Sequence, residues 1–140
     1  MYRILVPVDG SDVALRALGH AMRLSRLIGE GEIHLLNVQP PITGSVSAFV
    51  GDENVAGFYR EESENALAPA REVLEREGLP VHAAMRIGST GQSIADYARE
   101  LSCDQIVMGT RGLGGIGSLV LGSVATQLVH LAEAPVTLVK

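Results

Sequence analysis

The stretch Gly109-Thr110-Arg111-Gly112-Leu113-Gly114-Gly115-Ile116-Gly117-Ser118-Leu119-Val120-Leu121-Gly122-Ser123 places six glycines among fifteen residues. A packing loop needs far fewer, because each glycine costs roughly 0.5–1 kcal/mol of chain entropy relative to alanine where no special backbone angle is required. Close approach of the backbone to a bound group explains the density better. Gly112 and Gly114 let N–H groups face a concave site, and Gly122-Ser123 falls where a helix begins, whose free N–H groups and dipole favour phosphate. The Ser123 hydroxyl can cap that helix, bind a phosphate or do both. Arg111 either offsets phosphate charge or faces solvent. Two common nucleotide motifs do not fit. A Walker A loop needs Gly-Lys-Ser/Thr, and the sole lysine is Lys140. Gly112, Gly114 and Gly117 spell Gly-x-Gly-x-x-Gly, but behind the fourth strand rather than the first, so that match is accidental.

The elements that must position this loop are legible from hydrophobic pattern. Ile4 to Val8 is a nearly continuous apolar run with Pro7 near its end, as in a strand buried on both faces. Asp9-Gly10-Ser11-Asp12 supplies a turn and a helix start. Leu15, Leu18, Met22 and Ile28 then mark one face of a first helix, which Gly29 and Gly31 stop. Ile33 to Val38 is a second strand, ended by Pro40-Pro41. The stretch through Gly57 has no clear period and reads as a mobile loop. A second helix spans about Phe58 to Glu77, with Leu67, Ala70, Val73 and Leu74 inward and Pro69 counting against an unbroken course. Val81–Ile87, Gly91–Leu101, Gln105–Gly109, Ser123–Ala132 and Val136–Val139 complete an alternation of strands and helices. Strands spaced by such helices pair in parallel through right-handed crossovers. The expected fold is therefore α/β: one open parallel five-stranded sheet with helices on both faces, in a single domain over residues 1–140. Ligands of such sheets bind beyond the carboxyl ends of the strands, where strand order reverses.

The spacing Gly109-x2-Gly112-x9-Gly122-Ser123 resembles the Gly-x2-Gly-x9-Gly-Ser/Thr pattern of ATP-binding universal stress proteins. The likeness runs the length of the chain. Ile4-Leu5-Val6-Pro7-Val8-Asp9-Gly10-Ser11 is similar to that family's opening strand and aspartate turn, and Ala134-Pro135-Val136-Thr137-Leu138-Val139 to its closing strand. The resemblance implies strand order 3-2-1-4-5, with Asp9 across a crevice from the glycine loop. It assigns Asp9 and Gly109 to the adenosine side and Val38 to backbone contact with adenine. Gly112, Gly122, Ser123 and Val124 would hold the phosphates. Asp9 also reads simply as a turn residue, and Pro7 as a strand-end residue bordering the site. The implied cofactor is ATP, with Mg²⁺ on its phosphates. A homodimer through Val136–Val139 is implied too; those residues otherwise complete a monomer's core.

Other chemistry finds little support. His20, His34, His82 and His130 stand singly without a paired-ligand spacing, so no metal site is expected. Glu61, Glu62 and Glu64 read as the solvated first turn of the second helix. Cys103, the only cysteine, rules out an internal disulfide and suits a reducing cytoplasm; it reads as a small residue before a strand or as a redox thiol. A formal charge of -5 argues against nucleic acid and anionic membrane as partners. The opening apolar run is too short for a signal or membrane segment. No catalytic nucleophile with its base appears, so slow ATP hydrolysis is the most expected. The reading is an ATP-binding regulatory module in stress response. A nucleotide-free dimeric adaptor is the alternative, and an ATP-using transferase lacks its own signatures here.

Overall fold

Ile4, Leu5 and Val6 have no solvent exposure, which only a central strand covered on both faces provides. In the computed structural model, which describes residues 1–44, 48, 51–111 and 121–140, they lie in β1 (Tyr2–Pro7). Ser11 then caps α1 (Asp12–Ile28), its Oγ accepting from the Ala14 N–H at 3.3 Å. Gly29, at φ 85°, ends the helix with its N–H on the Ser25 carbonyl. Leu18 and Met22 are buried as the pattern requires, whereas Ile28 in the last turn is exposed.

Strand β2 (Gly31–Gln39) follows, and then α2 (Asp52–Arg76), β3 (His82–Ile87), α3 (Thr90–Glu100), β4 (Gln105–Gly109), α4 (Ser123–Leu131) and β5 (Val136–Val139). All pairings are parallel, in the order β3-β2-β1-β4-β5, which bears out the expected sheet. Alternate β1 side chains feed two cores. Ile4 and Val6 join Leu18, Leu35, Leu67 and Leu74 beneath α1 and α2, while Leu5 joins Leu36, Ile94, Ile106 and Leu128 beneath α3 and α4.

The second helix needs correction. It begins at Asp52 rather than near Phe58, so part of the expected loop is helical, and Glu61, Glu62 and Glu64 lie inside it. Asp52 and Glu53 are the acidic residues of its first turn. The helix also runs through Pro69. Pro69 has no N–H for the carbonyl of Asn65, and that carbonyl lies beside the Gly10 turn, 4.0 Å from where a Gly10 Cβ would stand. Tyr59, the first buried residue of the helix, anchors the chain leaving β2. Its hydroxyl accepts from the Ile42 N–H at 2.6 Å and donates to the Pro40 carbonyl at 3.2 Å.

Candidate functional site at the carboxyl edge of the sheet

The chain leaves β1 toward β2 on one side and continues from β4 toward β5 on the other, so strand order reverses between β1 and β4. Pro7 ends β1 opposite Leu36, and Asp9 sits in the turn that follows. The Asp9 Oδ1 accepts from the Ser11 N–H at 3.0 Å, an Asx turn that realises the local role expected of it. Gly10 takes φ 88° against α2, an angle that favours glycine. Val38 lies past the last β1 partner on β2, paired with Arg86 on the other side and packed on the second core.

Asn37 is the residue the sequence reading missed. It is 2% exposed, and its Nδ2 donates to the Val8 carbonyl at 2.9 Å, while Gln39 Nε2 donates to its Oδ1 at 2.7 Å. The amide thereby ties β2 to the segment that carries Asp9. The available signal was an asparagine directly after the apolar pair Leu35-Leu36 of a strand read as largely buried, where a buried amide must be hydrogen-bonded. Asn37→Ala removes the donor to a buried carbonyl and is expected to cost about 1–3 kcal/mol in chemical denaturation. It is also expected to speed amide hydrogen exchange at Asp9–Ser11.

On the β4 side, Gly109 closes the strand and Thr110 is buried behind it. The Thr110 N–H donates to the Val139 carbonyl at 2.8 Å, and its own carbonyl accepts from the Gly122 N–H at 2.5 Å. That last bond brings the two ends of the glycine motif together. Gly122 is the N-cap of α4 and has no side-chain cap bond; its carbonyl accepts from both the N–H and the Oγ1 of Thr126, each at 3.0 Å. Ser123 is exposed as the first residue of the helix and does not cap it, which leaves phosphate binding as its one remaining expected use. Val124 is half-buried on the second core, and Arg111 is exposed. Gly112 and Gly114 lie outside the described residues.

Two motif glycines have a reason other than ligand approach. A Cβ on Gly109 would stand 2.6 Å from Cγ1 of Val13, and one on Gly122 would stand 3.1 Å from both Arg111 Cα and the Thr110 carbonyl. Each admits another part of this chain. The edge thus assembles Pro7, the Asp9 turn, Val38, the Gly109–Arg111 segment and the start of α4 from separate stretches of sequence, as an open α/β sheet requires.

The family model described as "Universal stress protein family" matches residues 1–140. The chain belongs to the universal stress protein family. It is 33% identical over 144 residues to Universal stress protein MJ0531 of Methanocaldococcus jannaschii, covering 99% of this chain and 81% of that one. A Thermus aquaticus universal stress protein is 33% identical over 138 residues, covering 98% and 97%. Among solved structures, hypothetical protein MJ0577 superposes with a TM-score of 0.84 at 28% identity, covering 99% and 95%. The Archaeoglobus fulgidus universal stress protein, solved in complex with dAMP, gives 0.73 at 25% identity, covering 100% and 98%.

Elsewhere on this universal stress protein fold, Glu61, Glu62 and Glu64 are exposed on one interior turn of α2. Burial, reinforced by the charges of Asp104 and Glu32 and partly offset by Arg3, pushes the Cys103 thiol up to about 11. At neutral pH it is protonated, which suits the packing role over the redox one. The reading of four isolated histidines fails for two of them. The β2–β3 register sets His34 directly opposite His82, with ring centroids 4.8 Å apart. No described helix is long and apolar enough to cross a membrane.

Proposed function

We propose that the chain is an ATP-binding regulatory module of the stress response, holding the nucleotide at the carboxyl edge between β1 and β4. The observation that carries this reading is that the Asp9 turn and the Gly109–Arg111 segment follow the two strands between which strand order reverses, with the start of α4 bonded back to Thr110. Asp9 and Gly109 border the adenosine, Val38 offers backbone to adenine, and Gly112, Gly114, Gly122, Ser123 and Val124 surround the phosphates with Arg111 beside them. The dAMP bound by the Archaeoglobus fulgidus relative supports an adenine nucleotide. Mg²⁺ accompanies the phosphates with most of its water shell. Binding acts as a switch by favouring one arrangement of the segment after β2 over another. The module is cytoplasmic and works as a homodimer through the half-exposed strand β5.

Isothermal titration of nucleotide-stripped protein with ATP, in Mg²⁺ buffer, tests the reading. Saturable binding near one ATP per chain is expected. Arg111→Ala, at an exposed position, is expected to weaken ATP about tenfold by removing one charge-assisted phosphate contact while adenosine binding stays unchanged. Absence of saturable binding by any adenine nucleotide would overturn this function and favour the nucleotide-free dimeric adaptor.

A further inference from the structure

The cluster at the opposite, amino edge of the sheet joins residues far apart in sequence. Glu32 and His34 are two positions apart on β2 and so share a face, and His82 is the first residue of β3, paired with His34. Glu32 Oε1 lies 2.6 Å from His34 Nε2 and 3.7 Å from His82 Nε2, so two imidazole nitrogens converge on one carboxylate oxygen. The imidazole rings are stacked, with their planes 22° apart. A charged hydrogen bond between Glu32 and His34 accounts for that pair alone. It gives no reason for the second imidazole to present its Nε2 at the same oxygen.

We propose that Glu32, His34 and His82 form a binding site for a divalent transition-metal ion of the zinc class. Two imidazoles and a carboxylate are a donor set for such ions rather than for Mg²⁺ or Ca²⁺, which take oxygen ligands. The three ligand atoms lie within 4.8 Å of one another. Around tetrahedral zinc, with bonds of about 2.0–2.2 Å, donor atoms stand roughly 3.3 Å apart. The observed 2.6 and 3.7 Å bracket that spacing. Binding therefore opens the Glu32–His34 contact and draws His82 in. The His82 side chain is 44% exposed and that of His34 only 11%, so one ligand can turn while the other is held. Glu32 and His82 also line a shallow cavity with Met1, Leu79 and Pro80, which gives an ion access and leaves a fourth position for water.

Nearby charges bear on the affinity for an ion. Arg3 is in register with Glu32 and donates its Nη1 to the Leu101 carbonyl at 2.8 Å; its positive charge opposes the ion, while Glu32 supplies the neutralising carboxylate. Asp104 accepts from the Arg3 N–H and adds negative charge at the same edge. The imidazoles must be neutral to ligate, so protons compete with the ion for the same nitrogens. An ion held here would bridge β2 to the edge strand β3, and it does not depend on nucleotide binding.

The test titrates the untagged, chelator-treated full chain with zinc sulfate in a non-coordinating buffer at pH 7.5. One saturable site per chain is expected, with a rise in melting temperature. His82→Ala is expected to weaken zinc at least tenfold and abolish the thermal rise while circular dichroism stays unchanged. His130→Ala, on the exposed face of α4, is expected to leave both intact. Imidazole ¹⁵N signals of His34 and His82 should shift together. No saturable site, binding unchanged in His82→Ala, or binding lost only in Cys103→Ser or His130→Ala would overturn the proposal.

Discussion

Gly109→Ala is expected to destabilise the protein by about 1–3 kcal/mol, the usual cost of forcing extra volume into a closed contact. The added Cβ would stand 2.6 Å from Val13 Cγ1 and 3.2 Å from the Arg111 carbonyl. Val13 is itself only 8% exposed, in the first turn of α1, and has little room to withdraw. Pairing the change with Val13→Ala removes the nearest obstacle and should restore at least half the loss, a coupling of about 1 kcal/mol in a double-mutant cycle. Urea denaturation of the four proteins measures it. A single variant as stable as the parent, or one not relieved by Val13→Ala, would refute the packing account. The relieved double variant also separates two reasons for this glycine. If Gly109 serves only the approach of α1 to β4, ATP affinity returns with stability; if the ligand needs the bare backbone, the refolded double variant still binds poorly.

A larger loss is expected from Leu5→Ala. Leu5 has no solvent exposure and lies on the central strand, where it meets Leu36, Ile94, Ile106 and Leu128 in the core under α3 and α4. Truncation removes the transfer free energy of the buried side chain and leaves a cavity that a rigid sheet closes poorly, at a cost of about 2–5 kcal/mol. Against a typical total of about 5–15 kcal/mol, that is a large share of the fold's stability. The denaturation midpoint should fall with little change in slope. Leu27→Ala is the companion measurement: Leu27 is 85% exposed on α1, and its loss should shift stability by no more than about 0.5 kcal/mol. Equal effects from the two substitutions would contradict the described core.

The sheet was readable in sequence because its central strand leaves an unmistakable pattern. A strand enclosed on both faces must be apolar throughout, as Ile4, Leu5 and Val6 are, and Ser11 and Gly29 announce the ends of α1 by the backbone groups they satisfy. The start of α2 was not readable for the opposite reason. From Asp52 to Phe58 the helix buries no side chain, so it has no apolar stripe to betray its period, and only Tyr59 begins one. Pro69 misled because propensity is local, while the buried row of Tyr59, Ser63, Leu67, Ala70 and Leu74 holds the helix through it.

The sequence by itself determined the order of elements, the order of strands through its family resemblance, and the edge at which a ligand should be sought. Only the tertiary structure decided what touches what. That Gly109 and Gly122 admit Val13 and Arg111, that Asn37 steadies the Asp9 turn, and that His34 and His82 meet over Glu32 depend on contacts between segments distant along the chain. Residue type fixes the chemistry a side chain brings. Strand register and helix docking fix its neighbours, and neither is encoded at any single position.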